Sequence, residues 1–274
     1  LAIGSQTGGS VLRPASFTGI LGFKPTFGTI SRSGMSPISQ RLDHPGIYAN
    51  CVEDIDLVAS VILSYDSNDL DMIQNYQYKR NVNLNEPIKF GFVRGPVWNF
   101  GEEDMQSGIE EFVKKTSVDV EELDLGRDFD DAARAHEIIM NGSIVNSLIN
   151  YYQADKSNLH PFTVKRIEAG IPVSASDYVS AIEKAKKMEQ ILGQVFLKYD
   201  AIITPASTGQ APRDLMNTGN AIFNGYWTMM GVPAISLPFL KGKDNLPIGI
   251  QFITNWNEDL KLLEICKYIL KKEK

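Results

Sequence analysis

The sequence predicts an α/β fold in which strands and helices alternate. Apolar residues in 53–64 recur at the spacing of one helix face, and two acidic residues suit the positive N-terminal end of that helix. Residues 88–93 have the pattern of a strand, 105–112 that of a helix, and 118–123 that of a further strand. Such alternation is typical of layered α/β structures.

The middle of the chain, 128–199, predicts several helices, because prolines and a glycine interrupt the helical pattern within 161–172. Ser174 or Ser176 can cap the last of them. Its apolar stripe, which we expect to be buried core, consists of Val179, Ile182, Met188, Ile191, Leu192, Val195 and Phe196.

Residues 206–227 are rich in turn-forming residues and then become aromatic at Phe223, Tyr226 and Trp227. Two interpretations stay open for these rings. They line a small-molecule pocket, or the segment is a covered loop that packs on the core.

The composition predicts a globular protein, with 43% hydrophobic and 22% charged residues in 274 positions and no linker. A net charge of −6 argues against a nucleic-acid surface. Cys51, Cys266 and the histidines lack metal-ligand spacings, so we expect no metal and no cofactor. Two free thiols favour a reducing, cytoplasmic compartment. Membrane attachment stays open.

One loop carries a pattern for chemistry: residues 4–14 read Gly-Ser-Gln-Thr-Gly-Gly-Ser-Val-Leu-Arg-Pro. A serine hydroxyl needs a base and oxyanion donors to act as a nucleophile. The glycines allow a tight turn in which the backbone N–H groups of Thr7, Gly8, Gly9 and Ser10 converge on one oxygen. Taken alone, Thr-Gly-Gly-Ser is equally typical of an ordinary turn.

The longer string closely resembles the second half of the amidase signature. The resemblance covers nearly the whole chain and is carried by 4–15, 19–28, 31–34, 39–46 with 52–54, 199–206, 231–238 and 246–253. That family hydrolyses amides with a Ser–cisSer–Lys triad. The resemblance implies that Ser10 is the acyl-accepting serine and that the backbone of Thr7, Gly8, Gly9 and Ser10 is the oxyanion hole.

The resemblance also implies a fold, a mixed β-sheet sandwiched by helices, of which residues 1–274 are the C-terminal part of a single domain. The family's lysine and cis-serine lie upstream of the nucleophile, in an N-terminal part absent here. Ser5 is too close to Ser10 for the cis-serine position, and Lys24 follows the nucleophile, so neither takes these roles. We therefore expect the isolated chain to be inactive.

A different base would have to be a histidine, and each of the three has a structural interpretation. His44 lies in a predicted turn, His136 in a predicted helix, and His160 precedes a proline. We favour the structural interpretation for all three.

Three further residues bear on the substrate. Arg13 and Arg32 either contact a substrate carboxylate or tie the loop to a structural partner, and we favour the structural role for Arg13. Many family members carry aspartate where this chain has Gln6, and a glutamine there resembles the small-molecule amidase branch.

The sequence thus predicts an amidase that acts on a small-molecule amide, without identifying the amide. Two alternatives stay open: a noncatalytic binding or assembly module derived from the fold, and a glutaminase-type subunit of an amidotransferase. The expected partners are the missing N-terminal half or a second copy of the chain.

Overall fold

A computed structural model describes residues 1–78, 82, 84 and 87–273. In this part of the chain, eight strands form one sheet. They are β1 (Ala2–Gln6), β2 (Leu21–Lys24), β3 (His44–Ala49), β4 (Lys89–Phe92), β5 (Asp119–Glu122), β6 (Ala201–Pro205), β7 (Ala234–Lys241) and β8 (Pro247–Ile253).

The sheet is mixed, with the order β1-β3-β2-β7-β8-β6-β4-β5. In this order, each pair of neighbouring strands from β1 through β3, β2, β7 and β8 to β6 is antiparallel. Strand β4 pairs in parallel with both β6 and β5. Since β1 and β2 both run antiparallel to β3, their carboxyl ends point to the same edge of the sheet. The predicted mixed sheet is confirmed.

Helices cover this sheet, as the α/β prediction requires. They are α1 (Leu12–Thr18), α2 (Val52–Ile62), α3 (Glu103–Lys115), α4 (Ala132–Asp155), α5 (Pro161–Gly170), α6 (Ala175–Val195), α7 (Ile222–Met229) and α8 (Asp259–Lys272). Short 3₁₀ helices occupy Trp98–Phe100, Arg127–Phe129 and Lys156–Asn158. None of the helices in the described residues is long and apolar enough to cross a membrane.

Helix α1 lies directly on β2, β7 and β8, and small residues permit this close approach. A Cβ at Gly22 would stand 2.9 Å from the carbonyl oxygen of Val11, and one at Gly249 would stand 3.0 Å from Ser16 Cβ. Ser16 Oγ in turn accepts a hydrogen bond of 2.7 Å from the Gly249 N–H. The start of α1 is therefore fixed by the sheet.

The aromatic residues of α7 belong to the core. Phe223, Tyr226 and Trp227 have no exposed surface. Of the two interpretations open from the sequence, packing against the core is confirmed for these rings. Cys266 is a buried free thiol, and Cys51 is a partly buried one.

The buried stripe of α6 differs from the predicted one. The face that packs inward consists of Ala181, Ala185, Met188 and Leu192, at the spacing of a helix stripe. Val179 lies about 200° around the helix from Ala181 and is 54% exposed, so its placement in the core was wrong.

Ser174 is the N-cap of α6. Its Oγ accepts a hydrogen bond of 3.0 Å from the Asp177 N–H, and an Asp177 carboxylate oxygen accepts one of 3.3 Å from the Ser174 N–H. This reciprocal pair is a capping box. It decides between the two serines offered by the sequence.

We expect Ser174→Ala to lower the free energy of unfolding by about 1 kcal/mol, because the first turn of α6 loses its cap. The matched control is Ser176→Ala, which removes an exposed hydroxyl within the same turn and should change the value by less than about 0.5 kcal/mol. Urea unfolding measures both. Equal losses in the two variants would contradict the assignment.

Candidate functional site

The predicted loop lies between the end of β1 and the start of α1. Gln6 is the last paired residue of β1, opposite His44. Gly9 is buried, whereas Ser10 is exposed. The serine therefore stands at the surface, on a turn held from behind.

Two loop carbonyl groups accept hydrogen bonds from distant helices. His136 Nε2, on α4, donates to the Thr7 carbonyl oxygen at 3.0 Å. Thr228 Oγ1, on α7, donates to the Gly8 carbonyl oxygen at 2.6 Å. Both carbonyl groups thus point toward the interior of the protein.

The next two carbonyl groups of the loop are also held. The Gly9 carbonyl oxygen accepts a hydrogen bond of 2.9 Å from the Arg13 N–H. The Ser10 carbonyl oxygen accepts one of 2.7 Å from the Tyr48 hydroxyl. The four peptide planes that follow Thr7, Gly8, Gly9 and Ser10 are therefore each held by a hydrogen bond.

These carbonyl bonds determine where the loop N–H groups point. In a planar trans peptide, the N–H lies opposite the preceding C=O. The N–H groups of Gly8 and Gly9 consequently point away from His136 and Thr228, and the N–H group of Ser10 points away from the Arg13 N–H. Within the described residues, none of these three donors has an acceptor, nor has the Thr7 N–H. A turn with several free N–H groups is suited to bind an anion.

Gln6 holds the loop from below. Its buried Oε1 accepts hydrogen bonds from the N–H groups of Val11 at 2.8 Å and Leu12 at 3.0 Å, where α1 begins. Its Nε2 donates to Thr228 Oγ1 at 2.8 Å, the hydroxyl that holds the Gly8 carbonyl. A carboxylate here would accept the first two bonds, but without a proton it has nothing to donate to Thr228.

Asp43 supports the loop from the side, a role that the sequence did not reveal. One carboxylate oxygen accepts a hydrogen bond of 2.6 Å from Thr7 Oγ1. The other accepts bonds from the N–H groups of Ile38 at 2.8 Å and Ser39 at 2.9 Å. Three donors thus compensate the burial of this carboxylate. In the sequence, Asp43 stood out only as a member of the turn-like string Leu-Asp-His-Pro-Gly.

Gly9 is required for space and not for an unusual backbone angle. Neither Gly8 nor Gly9 is among the described residues with positive φ. A Cβ at Gly9 would overlap Asn224 Oδ1 and would stand 2.9 Å from Ala221 Cβ. The sequence predicted that glycine allows a tight turn here. The structure shows instead that Gly9 is required because a side chain would clash with Ala221 and with α7.

None of the three histidines forms a hydrogen bond with the Ser10 hydroxyl. His136 donates its Nε2 hydrogen bond to the Thr7 carbonyl oxygen. Burial lowers the pKa of His136 to about 4, which keeps the ring neutral. His160 is exposed, and its Nδ1 accepts a hydrogen bond of 3.2 Å from the Phe162 N–H at the start of α5.

His44 is a buried strand residue, and its predicted place in a turn was wrong. It lies in β3, and its Nδ1 bonds the Leu42 carbonyl oxygen at 2.7 Å. Burial lowers its pKa well below the usual range. The neutral imidazole must donate through Nδ1, since a carbonyl only accepts.

Lys24 is fully buried and serves the backbone. Its Nζ donates to the carbonyl oxygens of Val232 at 2.5 Å and Pro25 at 3.1 Å. Burial lowers its pKa to about 7. In the described part of the chain, no side chain forms a hydrogen bond with Ser10 Oγ.

The two arginines near the loop differ. Arg32 donates to Asp69 at 2.7 Å and to Asp71 at 2.6 Å, and this pairing confirms a structural tie for Arg32. Arg13 has no such partner among the described residues, and its buried Nε has no acceptor there.

A cleft of about 930 Å³ opens beside the loop. Asp43, Arg32, Ser143, Tyr178 and the exposed Val179 line it. Ser10 does not. The cleft therefore adjoins the site through Asp43, the residue that holds Thr7.

Known structures share this fold. A protein described as an amidase superposes with a TM-score of 0.84 at 20% identity, covering 98% of this chain and 62% of its own. An allophanate hydrolase of Kluyveromyces lactis gives 0.86 at 19% identity over 98% of this chain and 46% of its own. The chain therefore has the α/β fold of amidase signature enzymes.

Sequence comparison gives the family. The amidase family model matches residues 1–263, and the chain belongs to that family. A glutamyl-tRNA(Gln) amidotransferase subunit from Agathobacter rectalis is 30% identical over 92% of this chain and 57% of its own length. The Clostridium botulinum (strain Hall) protein of that name is 30% identical over 97% of this chain and 62% of its own length. The chain thus spans about three fifths of these relatives.

We expect Gly9→Ala to destabilise the protein by about 1–3 kcal/mol, because the added methyl group must displace Asn224 or Ala221. Gly8→Ala is the matched control, since its Cβ would meet His136 Cε1 at an ordinary 3.5 Å. This control should cost less than about 1 kcal/mol. Urea unfolding of the two variants checks the difference, and a larger loss for Gly8→Ala would contradict the packing argument.

The buried His136 should make stability depend on pH. Its folded pKa of about 4 lies below the unfolded value of 6.5, so its contribution is complete above pH 6.5 and is lost as the pH falls toward 4. Between pH 6.5 and 4.5 this loss amounts to about 2–3 kcal/mol.

The measurement is urea unfolding at both pH values for the native chain and for His136→Gln, whose side chain does not titrate. The variant should lose less stability over this interval. An imidazole NMR titration, with the exposed His160 as internal reference, should show a His136 midpoint near pH 4. Protonation of His136 near pH 6.5 would refute the expectation.

Proposed function

We propose that this chain carries the nucleophile and the oxyanion-binding loop of an amide hydrolase. The observation that supports this most is the turn in which hydrogen bonds hold the carbonyl groups of Thr7, Gly8 and Gly9, while the following N–H groups have no acceptor among the described residues. Ser10 is the exposed residue at its end. Family membership supplies the reaction class.

In the proposed reaction, Ser10 Oγ attacks the amide carbonyl carbon, and the carbonyl oxygen becomes an oxyanion. The N–H groups of Thr7, Gly8, Gly9 and Ser10 stabilise that oxyanion. The C–N bond then breaks, and the proton from Ser10 leaves with the amine. Water hydrolyses the resulting ester, which releases the acid and returns a proton to Ser10.

We propose that the proton-transfer groups are the lysine and cis-serine that the family resemblance implies, outside these 274 residues. Three observations support this. No described side chain forms a hydrogen bond with Ser10 Oγ, and the relatives are longer than this chain. Strand β1 also lies at the edge of the sheet with Ile3 59% exposed, where further strands can pair.

We also propose that the 274 residues form part of one domain and not two. The first strand, β1, and the last, β8, belong to the same sheet. Strands from both ends of a chain in one sheet leave no boundary at which the core divides.

A glutaminase-type subunit of an amidotransferase is the second candidate, favoured by the relatives of that name. Such a chain would release ammonia from glutamine and would depend on partner chains. Faster glutamine hydrolysis in the presence of a copurifying partner would favour it over hydrolysis of small amides.

The complete gene product should hydrolyse an amide, and Ser10→Ala should lower kcat by about 10³-fold or more, because the acyl-accepting oxygen is removed. The 274-residue chain alone should show no turnover that depends on Ser10. Ammonia release from a panel of primary amides measures both.

Ser5→Ala is the control for this experiment, since Ser5 is exposed on β1 nearby and has no proposed role. It should leave the rate unchanged. A complete gene product whose activity survives Ser10→Ala would refute the proposed nucleophile, and one with no amide hydrolysis would favour the noncatalytic module.

A further inference from the structure

Two fully buried polar side chains, Gln6 and Thr228, connect the start of α1 to the Gly8 carbonyl of the loop. The number of protons on each group fixes the direction of every hydrogen bond between them. Gln6 Oε1 faces the N–H groups of Val11 and Leu12 and can only accept from them. The amide therefore has one orientation, in which its Nε2 donates to Thr228 Oγ1 at 2.8 Å.

The hydroxyl of Thr228 has one proton to donate, and two carbonyl oxygens lie within its reach. They belong to Gly8, at 2.6 Å, and to Asn224, at 3.0 Å. Asn224 precedes Thr228 by four residues in α7, so the helix already directs a backbone N–H to the Asn224 carbonyl. The Gly8 carbonyl oxygen has no other donor among the described residues. The Thr228 proton therefore bonds the Gly8 carbonyl oxygen.

This proton holds one peptide plane of the loop. The Gly8 carbonyl and the Gly9 N–H belong to the same planar trans peptide and point in opposite directions. Because Thr228 holds the carbonyl inward, the Gly9 N–H points outward, where the proposed oxyanion forms. Gln6 and Thr228 have no exposed surface, so water does not replace a donor that is lost here.

We propose that Gln6 and Thr228 are coupled positioning residues for the oxyanion hole: the Gln6 amide directs the Thr228 proton, and that proton orients the Gly9 N–H. This rests on the proposed function of Ser10. The coupling makes the residue type at each position depend on the other. A carboxylate at position 6 would present only acceptors to Thr228. The hydroxyl proton would then turn to the carboxylate and leave the Gly8 carbonyl oxygen buried without a donor.

The coupling also predicts which exchange of residues restores the arrangement. An asparagine at position 228 has two N–H protons on one nitrogen, one for a carboxylate at position 6 and one for the Gly8 carbonyl oxygen. Gln6→Asp shortens the first side chain by one carbon, and Thr228→Asn lengthens the second by one atom. The combined reach of the two side chains is therefore kept.

The kinetic test uses the complete gene product and the primary amide that it hydrolyses fastest. Thr228→Val removes the proton and nearly keeps the shape, and it should lower kcat about 10–100-fold with little change in KM, as for an interaction made in the transition state. Thr228→Ser keeps the hydroxyl and should stay within about threefold of the native kcat.

Thr29→Val is the matched control for the loss of a buried threonine hydroxyl. Thr29 has no exposed surface, and its Oγ1 donates to the Thr26 carbonyl oxygen at 2.7 Å, outside the loop. The variant should lose stability and keep kcat within about threefold. A loss of kcat in Thr29→Val equal to that in Thr228→Val would overturn the inference.

The coupling itself is tested by the exchange. Gln6→Glu keeps the side-chain length and replaces the donor by an acceptor, so it should lower kcat about as much as Thr228→Val, although Thr228 is intact. Gln6→Asp and Thr228→Asn should each be impaired alone. The double variant should recover kcat at least about 10-fold over the poorer single variant. Losses that multiply in the double variant would overturn the inference.

Urea unfolding of each variant ensures that folded proteins are compared. Should Gln6→Glu not fold, the double variant and the contrast between Thr228→Val and Thr228→Ser still decide.

A measurement on the loop itself separates this inference from the proposed hydrolysis. In Ser10→Ala protein labelled with ¹⁵N-glycine, the Gly9 amide resonance reports on the peptide plane that contains the Gly8 carbonyl. It should shift in Thr228→Val and in Gln6→Glu, and return toward its native position in the double variant. This pattern without any amide hydrolysis by the native protein would refute the proposed function and keep the coupling. A Gly9 resonance that neither single variant shifts would overturn the coupling.

Discussion

The inward orientation of the Thr7 and Gly8 carbonyl groups is the constraint on which the candidate site depends. A peptide plane cannot turn its C=O inward without turning the following N–H outward. His136 and Thr228 lie on the inner side of the loop. Their hydrogen bonds to the carbonyl groups nevertheless determine which N–H groups the loop presents on its outer side. Since each donor sits on a different helix, the loop is in place only when α4 and α7 are both packed. The proposed oxyanion hole, preorganised in this way, would need no rearrangement when charge develops.

The polar groups behind the loop extend into the sheet. Asn224, beside Gly9, donates to Gln251 Oε1 at 3.0 Å on β8 and to the Ala206 carbonyl oxygen at 3.0 Å. Gln251 is paired in register with Thr204 and with Ser236 on the neighbouring strands. Several of these polar atoms are buried without a partner in the described residues, which costs free energy. In return, the hydrogen bonds of Asn224 attach α7 to the sheet in a defined orientation. Helix α7 also carries Thr228, whose hydroxyl bonds the Gly8 carbonyl oxygen.

Local patterns predicted the fold well and the site only in part. Residues 53–64 and 105–112 fall on α2 and α3, and 88–93 and 118–123 on β4 and β5, because periodicity is a property of neighbouring residues. The contacts of the loop join residues 129 and 220 positions apart in the chain, and no local pattern encodes such pairs. His44 shows the limit: the string Leu-Asp-His-Pro-Gly has the composition of a turn, yet its last three residues pair with β1 and belong to β3.

The side chain at position 6 connects the loop to the electrostatics of the site. It must accept hydrogen bonds from the first N–H groups of α1, which a carboxylate and an amide oxygen both do. A carboxylate, however, would place a negative charge behind a turn that is proposed to stabilise an oxyanion, and like charges at short range oppose each other. Gln6 accepts the same bonds without that charge, and its amide N–H holds Thr228 instead. The residue beneath the loop is therefore neutral, and Arg13 beside the loop has no carboxylate partner among the described residues.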